Sequence, residues 1–524
     1  MKTFNMIKNT RLIKPANRLK TKSFLCSGTV LMRKVRSAAL LGTGHIVSSL
    51  IGTSLSLIAM LTSSFALAAP PITNFEYDAN GNLTKMTDGL GNSTVQQYDA
   101  LNRLTIQNQA NPTGSGQLGT ITTQYNAIDQ VTGVADPRSL TTSYNPNAFG
   151  ETLTLTSPDT GVTTNTYDEV GNLKTKTDAK GQTTTYSYDA LNRLIQIQYA
   201  NSSQVIESQV SYSYDQGSNG LGRLTGITDS TGSIAYAYDT LGHVLSEART
   251  ISGFVYTTSY TYNDAGQLSS VAYPTGLLIS YSRDSLGRIN QITSLKNSQT
   301  QILASNITYL PFGGVQSFTF GNGSAYTRGF DTDQRLTAYS LGTKTINLSY
   351  DAASRIIAAT DAANSTSTKT YAYDNLDRLT NFVDNTTTKG YGYDLSGNRT
   401  AVAIGGNTYS NTIAANSNRL TAMTGPTLKN YSFDTNGSIT AQDANQFTYD
   451  ARGRLAQAMT SLGTTNYGIN ALGQRVLKTR TGAQGINTVY HYDLNGQLIA
   501  ETDTLGVTKQ ETIYLGNIPL AVIQ

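Results

Sequence analysis

From about residue 72 onward, apolar and polar positions alternate in short runs separated by turn residues. The same phrase closes run after run: an aromatic, one residue, then Tyr-Asp, a turn containing Gly or Asn, and Leu. It reads Phe75–Tyr77–Asp78–Gly81–Leu83 early, Tyr186–Tyr188–Asp189–Arg193–Leu194 in the middle, and Tyr490–Tyr492–Asp493–Gly496–Leu498 late. The Tyr–x–Tyr spacing is period-two alternation, which puts both rings on one face of a strand. Asp starts the turn because its carboxylate accepts a backbone N–H two residues on. Gly81, Gly171, Gly266 and Gly397 stand where a positive φ is expected. Asn102, Asn192 and Asn418 stand in for it. Degenerate copies recur about every 22 residues to the end of the chain, the signature of a repeat architecture. A half-period also shows, as in Asp168, Asp178 and Asp189. Each half is one strand and one turn, so the chain predicts roughly 40 short antiparallel strands in a ribbon on the order of 190 Å long. Strand twist prevents so long a ribbon from staying flat. The expectation is all-β: hairpins coiled into a hollow spiral shell, open at its C-terminal end.

Composition agrees. The chain of 524 residues holds 47 Gly, 32 Tyr and no Trp, and only 14% of its residues are charged. Its formal charge of +4 is carried by the N-terminal stretch. Residues 1–36 contain ten Lys or Arg and no acid; removing them leaves 28 basic against 34 acidic residues, a net of −6. A mildly acidic body gives no reason to expect nucleic-acid binding. The basic patch Arg33–Lys34–Arg36, an apolar run from Ala38 to Leu61, and Ala66–Leu67–Ala68 together read as an export signal. The expected division is a signal peptide with an N-terminal extension over 1–68, with Met32 an alternative start, and a shell over 69–524. An uncleaved run would be a membrane anchor, the only membrane association expected. The lone Cys26 lies in the segment that would be removed.

Chemistry is sparse. Beyond the signal only His243 and His491 remain, too few for an ordinary zinc site. His243 occupies a turn position that other repeats fill with Arg or Asn, and reads as a solvated turn residue. His491 alternates with Tyr490 and Tyr492 and points to the opposite face. The turns Asp434–Asn436–Gly437 and Asp493–Asn495–Gly496 bring Gly too early for an EF-hand. Asp99/Arg103, Asp189/Arg193 and Asp374/Arg378 can pair across their turns, and an exposed pair stabilises little. No catalytic, cofactor-binding or metal residue is assigned, and no cofactor is expected.

These residues resemble the RHS/YD-repeat family, the bacterial Rhs proteins and the teneurin-like YD shell, over about 72–524. More specific cues are Tyr273–Pro274–Thr275–Gly276 before Asp284–Leu286–Gly287–Arg288, the run Asn470–Leu472–Gly473–Gln474–Arg475, and Tyr514–Leu515–Gly516–Asn517–Ile518–Pro519–Leu520. The resemblance implies a β-cage that encloses a C-terminal toxin. The family's core-associated segment, with its Asp-Pro-x-Gly type motif, and the toxin are not in this sequence. The expectation is a non-enzymatic exported shell, a truncated or split polymorphic-toxin carrier. It would be periplasmic, cell-surface or extracellular, with a toxin cargo or an end-plug chain as partner. The alternative is a surface adhesion or carbohydrate-binding module whose partner is a cell-surface glycan.

Overall fold

The computed structural model describes residues 72–524 apart from 115, 312, 483, 484 and 486. The signal expected over 1–68 lies outside the described residues. Among those residues there are 42 strands, from Asn74–Tyr77 to Ile518–Ile523, and no helix. Every strand pairs antiparallel with the next in sequence, as Thr183–Tyr188 does with Leu194–Ala200. The sheet never closes on itself: Asn74–Tyr77 and Ile518–Ile523 are each paired along one edge only.

The turn chemistry follows from the repeat. In Asp189–Arg193, the Asp189 N–H donates to the Arg193 carbonyl at 2.9 Å, and the Asn192 N–H donates back to the Asp189 carbonyl at 2.9 Å. Asp189 Oδ1 accepts the Leu191 and Arg193 N–H groups, both at 2.9 Å. The fourth residue is left-handed: φ is +59° at Asn192, +87° at Gly171 and +88° at Gly397. This is a type I turn closed by a bulge, and the bulge steps the register between Ser187 and Tyr188 and adds twist. Asn418 departs from the expectation. Its turn is one residue longer, with Ala414 N–H donating to Arg419 O, and Asn418 is not at the left-handed position. Tighter links use two left-handed residues, as at Gly405–Gly406, with φ +56° and +87°.

The ribbon coils. Asn375 Nδ2 donates to the Asn111 carbonyl, 264 residues away, at 2.9 Å. Asn436 Nδ2 donates to Asp178 Oδ2, 258 residues away, at 2.6 Å. Tyr273 donates to the Thr512 carbonyl at a separation of 239, and Lys296 reaches Glu511 at 215. The second coil therefore lies against the first, and fewer residues are needed per turn toward the end. In the first two contacts a half-period turn of the first coil meets a Tyr-Asp turn of the second; in the last two the second coil offers the strand Thr508–Leu515, which follows its half-period turn at Asp503.

Burial is concentrated where the coils overlap. The main cluster joins Tyr260, Val271, Ile279, Ile292 and Phe318 to Ile499, Ile513 and Leu515. Before Ile197, Ala110 is the one apolar side chain that is fully buried among the described residues. Exposed large apolar side chains outnumber buried apolar ones, as expected for a two-faced ribbon rather than a filled globule.

Candidate functional site: the coil seam and its tyrosine-lined cavity

The repeat builds a staple between neighbouring hairpins. Arg103 Nε donates to Asp99 Oδ2 at 2.7 Å, and its guanidinium lies over the Tyr125 ring at 4.8 Å. The Tyr125 hydroxyl donates to the carbonyl of Leu104, next to that arginine, at 2.9 Å. The same unit recurs with Arg193 over Tyr214, Arg355 over Tyr373 and Arg378 over Tyr393. The Asp–Arg pairs are thus half-buried parts of a stack, not the exposed pairs expected: the Arg378 and Asp374 side chains keep 17% and 8% of their exposure. The Arg103 side chain, followed by its backbone N–H, holds the Asp99 carboxyl below the usual range.

His243 belongs to this staple and not to a solvated turn. Its Nδ1 lies 2.7 Å from Asp239 Oδ2, its ring stacks on Tyr262 at 4.6 Å, and the Tyr262 hydroxyl donates to Val244 O. It does the work of the arginine other repeats carry.

The seam between the coils is polar at one end and buried at the other. Arg138 donates to the carbonyls of Ser417 and Ala414, each at 2.7 Å. Asn418, freed from the turn geometry expected of it, donates through its N–H to Asp159 at 2.6 Å and through Nδ2 to Asp136 at 2.9 Å. Asp434 accepts the Ser438 N–H and Asn436 is engaged with Asp178, so this turn is spent on structure. Further on, Arg249 pairs with Glu247 and donates to Gln474 Oε1 at 2.6 Å. Burial pushes the Glu247 carboxyl up. Glu511, fully buried, accepts from Lys296 at 2.6 Å and from Thr275.

His491 is buried close enough to Arg249 to feel its charge. Its Nε2 lies 3.0 Å from Thr502 Oγ1 and its ring 4.4 Å from that of Tyr256. Burial, followed by the charge of Arg249, lowers its pKa to about 4. It is a neutral core residue at ordinary pH. Among the described residues no three His, Cys, Asp or Glu side chains cluster as a metal site.

Among the cavities along the seam, two bring charged side chains and tyrosines together. One, of about 720 Å³, is a polar trough between Asn165, Lys176 and Gln182 of the first coil and Arg452 and Arg454 of the second. The other, of about 320 Å³, is walled by Tyr260, Tyr262, Tyr273, Tyr281 and Tyr514, with Arg283 and Asp493 among its lining. Burial, with the Asp493 carboxylate adding to it, pushes the Tyr281 phenol up to about 12, so it stays protonated. Sequence reasoning named Asp493 only as a turn residue and did not single out Arg283. The available signal was Tyr281–Ser282–Arg283–Asp284, where Arg replaces the usual Tyr before Asp.

Comparison with known proteins places these features. Residues 325–515 match the teneurin YD-shell family, and residues 77–115, 167–204 and 256–298 each match the RHS repeat. No curated protein matches the chain. Among solved structures, the crystal structure of TcdB2-TccC3 is similar with a TM-score of 0.69 at 16% identity, covering 86% of this chain and 31% of its own. A mutant Photorhabdus luminescens Tc holotoxin pore gives 0.68 at 16%, covering 86% and 30%. TcdB2-TccC3 without its hypervariable C-terminal region gives 0.70 at 16%, again covering 86% and 30%. The chain therefore spans under a third of the length of these structures, and the likeness is one of fold. With the repeating Tyr-Asp staple, the open coiled ribbon and the two family matches all in agreement, the chain belongs to the RHS/YD-repeat family.

Proposed function

We propose that this protein is a non-enzymatic wall of a toxin container, an exported RHS/YD shell that encloses a polypeptide cargo in company with further shell. The observation that carries the reading is the open ribbon of nearly two coils, similar over 86% of its length to TcdB2-TccC3, structures in which such a fold belongs to a toxin assembly. A coiled sheet without closure fits a wall better than a catalytic domain, and the polar side chains described above are engaged in turns and seam. Export rests on the basic and apolar segments of residues 1–68, and N-terminal sequencing of exported protein should begin at Ala69.

The test is protection. A protease-sensitive reporter is fused after Gln524, and digestion is followed with and without a shell partner encoded beside this gene. A container slows reporter digestion while the shell stays intact. A reporter digested as fast as the free one, in both cases, rejects the reading.

A further inference from the structure

The two rims of the ribbon differ in chemistry. Within the seam, Tyr-Asp turns of the second coil are covered by half-period turns of the first: Asn375 meets Asn111, Asn436 meets Asp178, and the Ala471 N–H donates to Asp229. The Tyr-Asp turns of the first coil make the opposite rim, away from this seam. The third residue of the turn marks the contrast. On the first coil it is Leu101, Phe149, Val170, Leu191, Leu241 and Leu286 in six turns, and these side chains are 63–90% exposed. On the second coil the same position holds Ala353, Ser396, Asn436 and Arg452. Leu376 and Leu472 depart from that pattern, and both are more covered than any of the six. The rim sealed in the seam is mostly small or polar at this position, and the open rim is apolar.

Scattered apolar side chains on a surface need no partner, but a repeated row along one rim marks an interaction surface. At roughly 100 Å² open per side chain, the six alone offer about 600 Å², near the ~800 Å² that each partner gives to a stable interface. Girth selects the partner. Across the seam 264 residues separate Asn111 from Asn375, and 215 separate Lys296 from Glu511 nearer the end. The free half-period rim of the second coil also exposes leucines, Leu428, Leu462 and Leu505, but it belongs to the narrower end and cannot follow the wide rim round. The rim that matches the wide one in both girth and turn spacing is the same rim of another copy. A two-fold axis across the rim also suits a spiral: where one rim climbs toward its partner, the partner's falls away by the same amount, and the contact is self-complementary. We propose that the first-coil Tyr-Asp rim is the interface of a two-fold dimer of this chain, with the apolar turn tips interleaved about Leu191 at the middle of the row. This inference does not rest on the container reading.

Sedimentation velocity of the purified chain tests it, and a dimer is the expected species. Leu191→Asp combined with Leu241→Asp should give the monomer with the thermal midpoint unchanged, because both side chains are exposed tips. Leu505→Asp, at a leucine equally exposed but on the other free rim, should leave the dimer intact. Cys26 is the chain's only cysteine. In a Cys26→Ser background, Leu191→Cys should therefore link two copies under a mild oxidant, and Leu505→Cys should not. The proposal falls if the native chain is monomeric, if the dimer survives the paired Leu191 and Leu241 substitutions, or if Leu505→Cys cross-links in place of Leu191→Cys. A chain that is monomeric and still protects a fused reporter rejects the dimer and leaves the container reading standing.

Discussion

The guanidinium of Arg355 lies 5.0 Å from the centre of the Tyr373 ring, and the Tyr373 hydroxyl donates at 2.8 Å to the carbonyl of Ile356, the residue after that arginine. One side chain thus holds its own turn through Asp351 and the next hairpin through Tyr373. Tyr373→Phe removes a single neutral hydrogen bond and should lower stability by about 1 kcal/mol. Arg355→Ala should cost more, because it strands Asp351 and uncovers the ring at once. Arg355→Lys should not rescue it, since an ammonium lacks the flat fork that both pairs and stacks. Denaturation midpoints of the three variants check the order. Tyr373→Phe emerging as the most damaging would show that the staple is not organised around the arginine.

Two glycines with nearly the same backbone separate conformation from seam contact. Gly397 has φ +88°, and a Cβ there would meet nothing within 4 Å. Gly437 has φ +82°, but a Cβ there would run into the Asp159 carbonyl of the facing coil. Gly397→Ala should cost about 1 kcal/mol from the left-handed conformation alone. Gly437→Ala should cost more and should loosen the seam. Hydrogen exchange at the Asn418 N–H, which donates to the Asp159 carboxylate, should rise in the second variant only.

What the sequence disclosed was the local part. Tyr-Asp spacing located the turns, and Gly171 and Asn192 are left-handed as their types required, because an Asx-closed turn is decided within five residues. Coiling was legible too, as a consequence of twist. The seam was not: Asp178 meets Asn436 across 258 residues, and nothing in either turn marks its partner. Asn418 looked like one more turn residue, but a single inserted position moved it into the seam. His243 could have been placed better, since its position is the one arginine fills elsewhere in the staple.

Glu511 and Lys296 offer a test of the buried end of the seam. The carboxylate is fully buried and the lysine keeps 31% of its side-chain exposure. Lys296→Met leaves a buried charge with Thr275 as its remaining side-chain partner and should cost about 3 kcal/mol. The double variant Lys296→Met, Glu511→Gln should recover much of that, because no charge is then stranded. Urea midpoints of the two variants decide the matter. A double variant no better than the single one would mean that the pair does not act as a unit.

The last expectation concerns acid. His491 has its pKa lowered to about 4 in the folded chain, against 6.5 for an unperturbed histidine, with burial the main cause and Arg249 the second. Between those values the unfolded chain binds the proton and the folded chain does not. The sign is therefore fixed: the stability His491 contributes is present above pH 6.5 and is lost as pH falls toward 4, by about 3 kcal/mol at most. Glu247, whose carboxyl is raised by burial, works the other way, since the folded state takes up its proton first as pH falls. A single stability curve would mix the two, so the useful quantity is a difference. His491→Phe keeps a ring against Tyr256 and removes the titration. It deprives Thr502 of a partner equally at every pH, which shifts the curve without tilting it. Subtracting the variant's urea-derived stability from that of the native chain should leave a term that falls between pH 6.5 and 4 and is flat above. A flat difference throughout would show that His491 titrates normally and that the seam around Glu247 and Arg249 is open to water.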